Sequence, residues 1–150
     1  MATYLYKVEA TADLAPAYVP PLKGKQVCSL TQVITVATTD LDLNDTMDVG
    51  WLPKGAIVID AVMHCTDMDT GAGALVLDLG PTTNPDAYID GLAATGAVTG
   101  RAGNVAGSAA TMASEASVPL TADTKVIVTV ATAPSAAATG TILVSVQYVV

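Results

Sequence analysis

The chain has no phenylalanine, one tryptophan, one histidine, two cysteines and only six lysines and arginines in 150 residues. Each scarcity excludes something. A nucleic-acid binder needs a basic face that releases counterions from phosphates, and six scattered cations cannot build one. Cys28 and Cys65 stand at a spacing that marks no disulfide framework. Each is read as a small buried hydrophobe, in keeping with a chain made in a cytoplasm. The first residues lack a basic stretch followed by an apolar one, so no signal peptide is read. The uncharged stretch from Val126 to Val150 is not a membrane span. Pro134, the small-residue run over 135–140 and a period-2 alternation divide it into two strands and a loop.

Charge is scarce as a whole. Charged residues make up 13% of the chain, against roughly 25% in an ordinary soluble domain. Fourteen are acidic, leaving a net charge of −8. What fills the sequence instead is Ala, Thr and Val, with 26, 20 and 19 residues. A mean hydropathy of +0.51 excludes a disordered chain, and Val and Thr favour a pleated sheet over a helical bundle. The length suits one domain with a real core. Its surface has too few charges to be kept wholly in water, which predicts contacts with other chains.

Residues 1–27 read as an extended arm. The Ala-Pro-Ala-Tyr-Val-Pro-Pro run over 15–21 favours a polyproline-like path. Tyr4, Tyr6, Tyr18, Pro20, Pro21, Lys23 and Lys25 are its candidate partner contacts, because aromatics offer a large contact area with few rotors to freeze. Residues 28–150 read as a β-sandwich domain. Strands are expected at Thr31–Thr38, Ala56–Thr66, Ala74–Gly80, Lys125–Ala131 and Thr141–Val150. In the second, alternation puts Ile57, Ile59, Ala61, Met63 and Cys65 on one face and Val58, Asp60, Val62 and His64 on the other. Leu75, Leu77 and Leu79 form a second one-sided stripe, Val126, Val128 and Val130 a third, and Ile142, Val144, Val146, Tyr148 and Val150 a fourth. An acidic turn region covers 40–48. Residues 86–92 suit a helical turn or a short strand, and the glycine-rich 91–117 region suits long loops with one weak strand. Six to eight strands with turn signals every 8–12 residues indicate an all-β fold, an antiparallel sandwich or jelly roll.

Few residues carry chemistry. Met68-Asp69-Thr70-Gly71-Ala72 resembles the signature of aspartic proteases, in which Asp69 would share a proton with a second Asp across a dimer axis. That family places apolar residues before the Asp, whereas Asp67 stands here, and ordinary turn chemistry accounts for an Asp-Thr-Gly triplet between strands. Asp40, Asp42, Asn44, Asp45 and Asp48 invite a calcium reading. An EF-hand would need Gly at its sixth position and Glu at its twelfth, where this chain has Asp45 and Trp51. His64 and Cys65 are neighbours in a strand and point to opposite faces, so they cannot ligate one metal together. No phosphate-binding glycine motif occurs. The expectation is a non-enzymatic protein with no catalytic residue, metal or cofactor.

The stretch from Leu43 to Tyr88 resembles a group of tailed-bacteriophage virion proteins. The resembling features are Asn44-Asp-Thr-Met-Asp-Val-Gly-Trp-Leu-Pro-Lys-Gly-Ala56 with the strand to Met63, then Asp69-Thr-Gly, Val76-Leu-Asp-Leu-Gly80 and Asp86-Ala-Tyr88. A Val-rich strand ending in Tyr148 completes the pattern. The better understood members are head decoration or cement proteins. The resemblance implies a jelly-roll-like fold, a homotrimer, the major capsid protein as partner, and binding between capsomers on the outer surface of the virion. A head-fibre or adhesin-like binding module is the alternative from another class. Long Gly-Ala-Thr loops suit both, but a receptor binder would expose loop aromatics, and residues 91–117 have none.

Overall fold

The computed structural model of the chain describes residues 26–102 and 118–150. Eight strands are formed by these residues: β1 (Val27–Val36), β2 (Thr46–Leu52), β3 (Ile57–Cys65), β4 (Val76–Pro81), β5 (Ile89–Ala93), β6 (Val98–Arg101), β7 (Thr124–Thr132) and β8 (Gly140–Val149). They build two antiparallel four-stranded sheets with the orders β1-β8-β3-β6 and β2-β7-β4-β5. The pairs β1·β8, β2·β7, β3·β6 and β4·β5 are nested one inside the next, as in a single long hairpin. Rolling that hairpin up brings β8 beside β3 and β7 beside β4. This is a jelly roll.

The core follows from period-2 alternation. Ala61, Met63, Cys65, Ile142, Val144 and Val146 face inward from the first sheet, and Leu77, Leu79, Val126, Val128 and Val130 from the second, all fully buried. Among the described residues Tyr88 is the one fully buried aromatic, with Tyr148 packed against the core from its edge. Aliphatic chains therefore do the filling, each buried Val or Leu contributing about 1.5–3 kcal/mol.

Two bulges alter what alternation alone predicts. Between Val58 and Asp60 the register against β8 shifts by one residue, leaving Ile59 as the extra one. Val58 is consequently buried while Ile59 is exposed, so the expected apolar face of Ile57 and Ile59 is corrected. The inserted residue reverses which parity faces the core. A second shift between Asp48 and Gly50 interrupts β2. That strand occupies the end of the expected acidic turn region. β1 starts four residues before the expected Thr31 and stops at Val36; a 3₁₀ turn at Thr38–Asp40 follows. Residues 89–93 are a strand, and β6 is the weak strand expected within 91–117. Cys28 and Cys65 are free thiols. Facing Tyr148 and Ile142 of β8 respectively, they stand six residues apart along that strand, about 20 Å, too far for a disulfide. Burial pushes the Cys65 thiol up to about 12. No helix among the described residues is long and apolar enough to cross a membrane.

Candidate interaction surface

Antiparallel strands give the sandwich two ends, and the two ends differ in chemistry. One end carries the loops after β1, β3, β5 and β7. The other carries the start of β1, the ends of β6 and β8, and the loops after β2 and β4.

The first end is acidic. Asp40, Asp42, Asp45, Asp67 and Asp69 lie there, and no Lys or Arg does among the described residues. Local turn geometry uses several of them. Asp40 accepts from the backbone N–H of Ala37 at 2.9 Å, and Asp45 from that of Asp42 at 2.9 Å. Among the described residues no three His, Cys, Asp or Glu side chains come close enough to hold a metal ion.

Asp69 is the fully buried one of these carboxylates, being 2% exposed. Its two oxygens accept six hydrogen bonds. Gly71, Ala74 and Leu75 donate from its own loop at 3.1, 2.6 and 3.1 Å. The Ser135 N–H and Oγ and the Ala136 N–H donate from the β7–β8 loop at 3.1, 2.9 and 3.0 Å. The carboxylate thus clamps two loops that are distant in sequence. The Ala74 N–H is the strongest influence holding its pKa well below the ordinary carboxylate range; the bonds from Ala136 and Ser135 act in the same direction against desolvation. Gly71 belongs to the same device. A Cβ there would overlap Ser135 Oγ and stand 3.0 Å from the Ala136 N and Cβ. The Asp-Thr-Gly triplet therefore builds a loop clamp, with every oxygen lone-pair direction engaged and no room left for a shared proton.

The second end is apolar and of mixed charge. Val27, Trp51, Ile59, Val118 and Val150 are exposed there. All three basic residues among the described ones lie at this end too, Lys54 and Arg101 exposed and Lys125 half-buried. Arg101 grips Asp60 through Nε at 3.1 and 3.0 Å and Nη2 at 2.7 Å, and Lys125 meets Asp48 at 2.7 Å. The loop from Val118 is stitched down by Gly55 N–H to Leu120 O at 2.8 Å, Leu120 N–H to Ala56 O at 2.9 Å, and Lys54 N–H to Asp123 Oδ1 at 2.8 Å. Val27 pairs with Val149. Residues 1–25, 103–117 and the chain's last residue therefore all connect to this one end.

The seven arm residues singled out from sequence, Tyr4, Tyr6, Tyr18, Pro20, Pro21, Lys23 and Lys25, lie outside the described residues. His64 sits on the outer face of the first sheet, joined to Thr99 by a 2.6 Å hydrogen bond between Nδ1 and Oγ1. The exposed apolar residues of this end escape sequence reading because they are far apart in the chain; only the roll-up brings them to the same end.

Asp78 offers a test of the electrostatics on the second sheet. Burial raises its pKa most, and Asp90 and Asp86 raise it further, against a 2.8 Å hydrogen bond from the Gly91 N–H. A carboxylate with a raised folded pKa binds its proton more tightly when folded. Its charge then costs stability progressively as pH rises from the ordinary Asp value through the raised one. Asp78→Asn retains an acceptor for Gly91 and is expected to raise the thermal midpoint at pH 7 by about 1–3 °C. The gain should fade below pH ~4. Melting curves at both pH values check this, and an equal effect at both would exclude the electrostatic cause.

No protein-family model matches the chain, and no curated protein does. Solved structures do. A chain in the capsid asymmetric unit of cyanophage Pam1 superposes with a TM-score of 0.69 at 21% identity, covering 85% of this chain and 87% of that one. A chain in the capsid of Ralstonia phage GP4 gives 0.61 at 22% identity, over 85% and 84%. One in the acidic stable capsid of Helicobacter pylori bacteriophage KHP30 gives 0.50 at 17%, over 85% and 94%. The chain has the jelly-roll fold found in these phage capsids.

Proposed function

We propose that this chain is a structural virion protein, a decoration or cement subunit that binds between capsomers of the major capsid protein on the outer capsid surface. The observation that carries the reading is the contrast between the two ends of the sandwich. A subunit bound end-on needs one end that offers apolar contact and another that stays wet. Val27, Ile59, Val118 and Val150 supply the first, and the Asp40–Asp45 turn supplies the second. The fold shared with chains of three phage capsids supports a virion role, and the clamped state of Asp69 supports a structural one. A homotrimer fits the proposal, because three copies on a lattice raise each other's effective concentration. Tyr4 and Tyr6, at the tip of the arm, are proposed as its contacts with the capsid.

Two substitutions at one end and one at the other test this orientation. Ile59→Asp and Val150→Asp are each expected to weaken binding to undecorated capsids roughly ten- to a hundred-fold. Leu43→Asp, an equally drastic change at the acidic end, should leave binding unchanged. Equal losses at both ends would sink the end-on arrangement, and deletion of residues 2–22 without effect would sink the role of the arm. A reconstruction of the particle separates cement from fibre: copies in fixed ratio to the major capsid protein fit cement, a handful per particle fits a fibre.

A further inference from the structure

Trp51 is the chain's only tryptophan and is 62% exposed, the most exposed large hydrophobic side chain among the described residues. An exposed indole on a strand covers no core. Here it separates two shallow depressions. One is lined by Leu52, Pro53 and Asp123. The other, of about 350 Å³, is lined by Thr82, Thr83, Thr121 and Lys125. Asp123 borders both, and Asp48 lies close by through its ion pair with Lys125. The site is therefore an aromatic ridge with apolar and threonine flanks and a partly acidic rim. Proline-rich segments dock on surfaces of this kind, because a polyproline path is already extended and loses little entropy on binding.

The chain contains a matching segment. Residues 15–25 read Ala-Pro-Ala-Tyr-Val-Pro-Pro-Leu-Lys-Gly-Lys, three prolines and a tyrosine followed by two cations. We propose that this segment seats on the Trp51 ridge of its own domain, with Tyr18, Pro20 and Pro21 against the indole and Lys23 and Lys25 at the Asp48 and Asp123 rim.

The tether makes this geometry reachable. β1 lies over β2, where a Cβ on Gly50 would come within 2.8 Å of Leu30 Cδ1. Val27 precedes Leu30 and Trp51 follows Gly50, so both point toward the same end of the sandwich. Val27 is six and seven steps along the chain from the two prolines, a reach of about 20 Å along a polyproline path. The two sheets are only about 10 Å apart. Tethering at this range gives an effective concentration of order millimolar, so even a weak segment stays docked. The docked root would leave Tyr4 and Tyr6 free at the tip. The inference stands on the Trp51 surface and the arm sequence, independently of any capsid.

Because Trp51 is the sole indole, its fluorescence reports the site directly. The full chain is compared with a Tyr18→Ser, Pro20→Ser, Pro21→Ser variant and with a chain lacking residues 2–25, folding being checked by circular dichroism. The full chain is expected to emit at shorter wavelength and to be less quenched by acrylamide than either, at all dilutions. A synthetic 15–25 peptide added in trans should restore protection to the truncated chain. Identical emission and quenching in the full chain and the triple variant would overturn the proposal. Protection that vanishes on dilution would overturn the own-domain seat in favour of a neighbouring copy.

Discussion

Asp69→Asn is expected to lower the thermal midpoint at pH 7 by on the order of 10 °C, although the side chains are nearly isosteric. Three donors converge on each carboxylate oxygen: Ala74, Leu75 and the Ser135 N–H on one, Gly71, Ala136 and the Ser135 hydroxyl on the other. Either orientation of an Asn amide turns an NH₂ group toward three donors, so hydrogen bonds are replaced by donor-to-donor contacts in a buried place. The pH dependence gives the result a second signature. With its folded pKa depressed, the unfolded chain is the better proton binder in acid. The carboxylate's contribution is complete above the ordinary Asp value near 4 and is lost as pH falls below it. The gap between parent and variant should hold steady from pH 7 to pH ~5 and narrow below pH ~4. A variant that melts within a degree or two of its parent at pH 7 would show that the clamp contributes little. Neither protein is expected to cleave peptides.

Gly80→Ala should be the other severe change. In β4 a Cβ at this position would overlap the Asn84 carbonyl oxygen and stand 2.7 Å from the carbonyl carbon and oxygen of Pro85. These obstacles are backbone, pinned by Asn84 N–H to Pro81 O at 2.9 Å and Ala87 N–H to Asn84 O at 3.1 Å, so no side chain can swing aside. Relieving such an overlap costs about 3 kcal/mol, which outweighs the 0.4–1 kcal/mol or so that Ala gains by restricting the unfolded chain. Gly96→Ala separates the two effects, since nothing lies within 4 Å of a Cβ there; it should be neutral or slightly stabilising. Chemical denaturation of both variants measures the difference, and a Gly80→Ala protein as stable as Gly96→Ala would refute the steric argument.

Much of this architecture is legible in the sequence, for a simple reason. Leu75, Leu77 and Leu79, or Val126, Val128 and Val130, alternate without interruption, and uninterrupted alternation identifies both a strand and its buried face. It misled at Ile57 and Ile59, because a bulge inserts a residue without leaving a recognisable local pattern. β2 was hidden for a related reason, its shift near Gly50 combining with an acidic lead-in that resembled a turn. At Asp69 the turn chemistry could be read from Asp-Thr-Gly, but half its partners are Ser135 and Ala136, some 66 residues onward, and no local window contains them. The apolar end is the extreme case. Val27, Trp51, Ile59, Val118 and Val150 have nothing in common along the chain and come to share one end of the sandwich only through strand order.

The nesting of the strands also governs how the protein comes into being. β8 lies second in the order β1-β8-β3-β6 and holds β1 and β3 on its two sides. β3 can pair with β6 beforehand, but neither β1 nor β3 can pair with β8 until residues 140–149 have left the ribosome, and β1 must wait while more than a hundred residues are added. Pairings so remote in sequence close slowly. The first sheet is therefore completed only after β8 emerges, and a nascent or truncated chain has no finished apolar end to offer. Synthesis itself sets the order, so that only chains translated through β8 hold a finished first sheet.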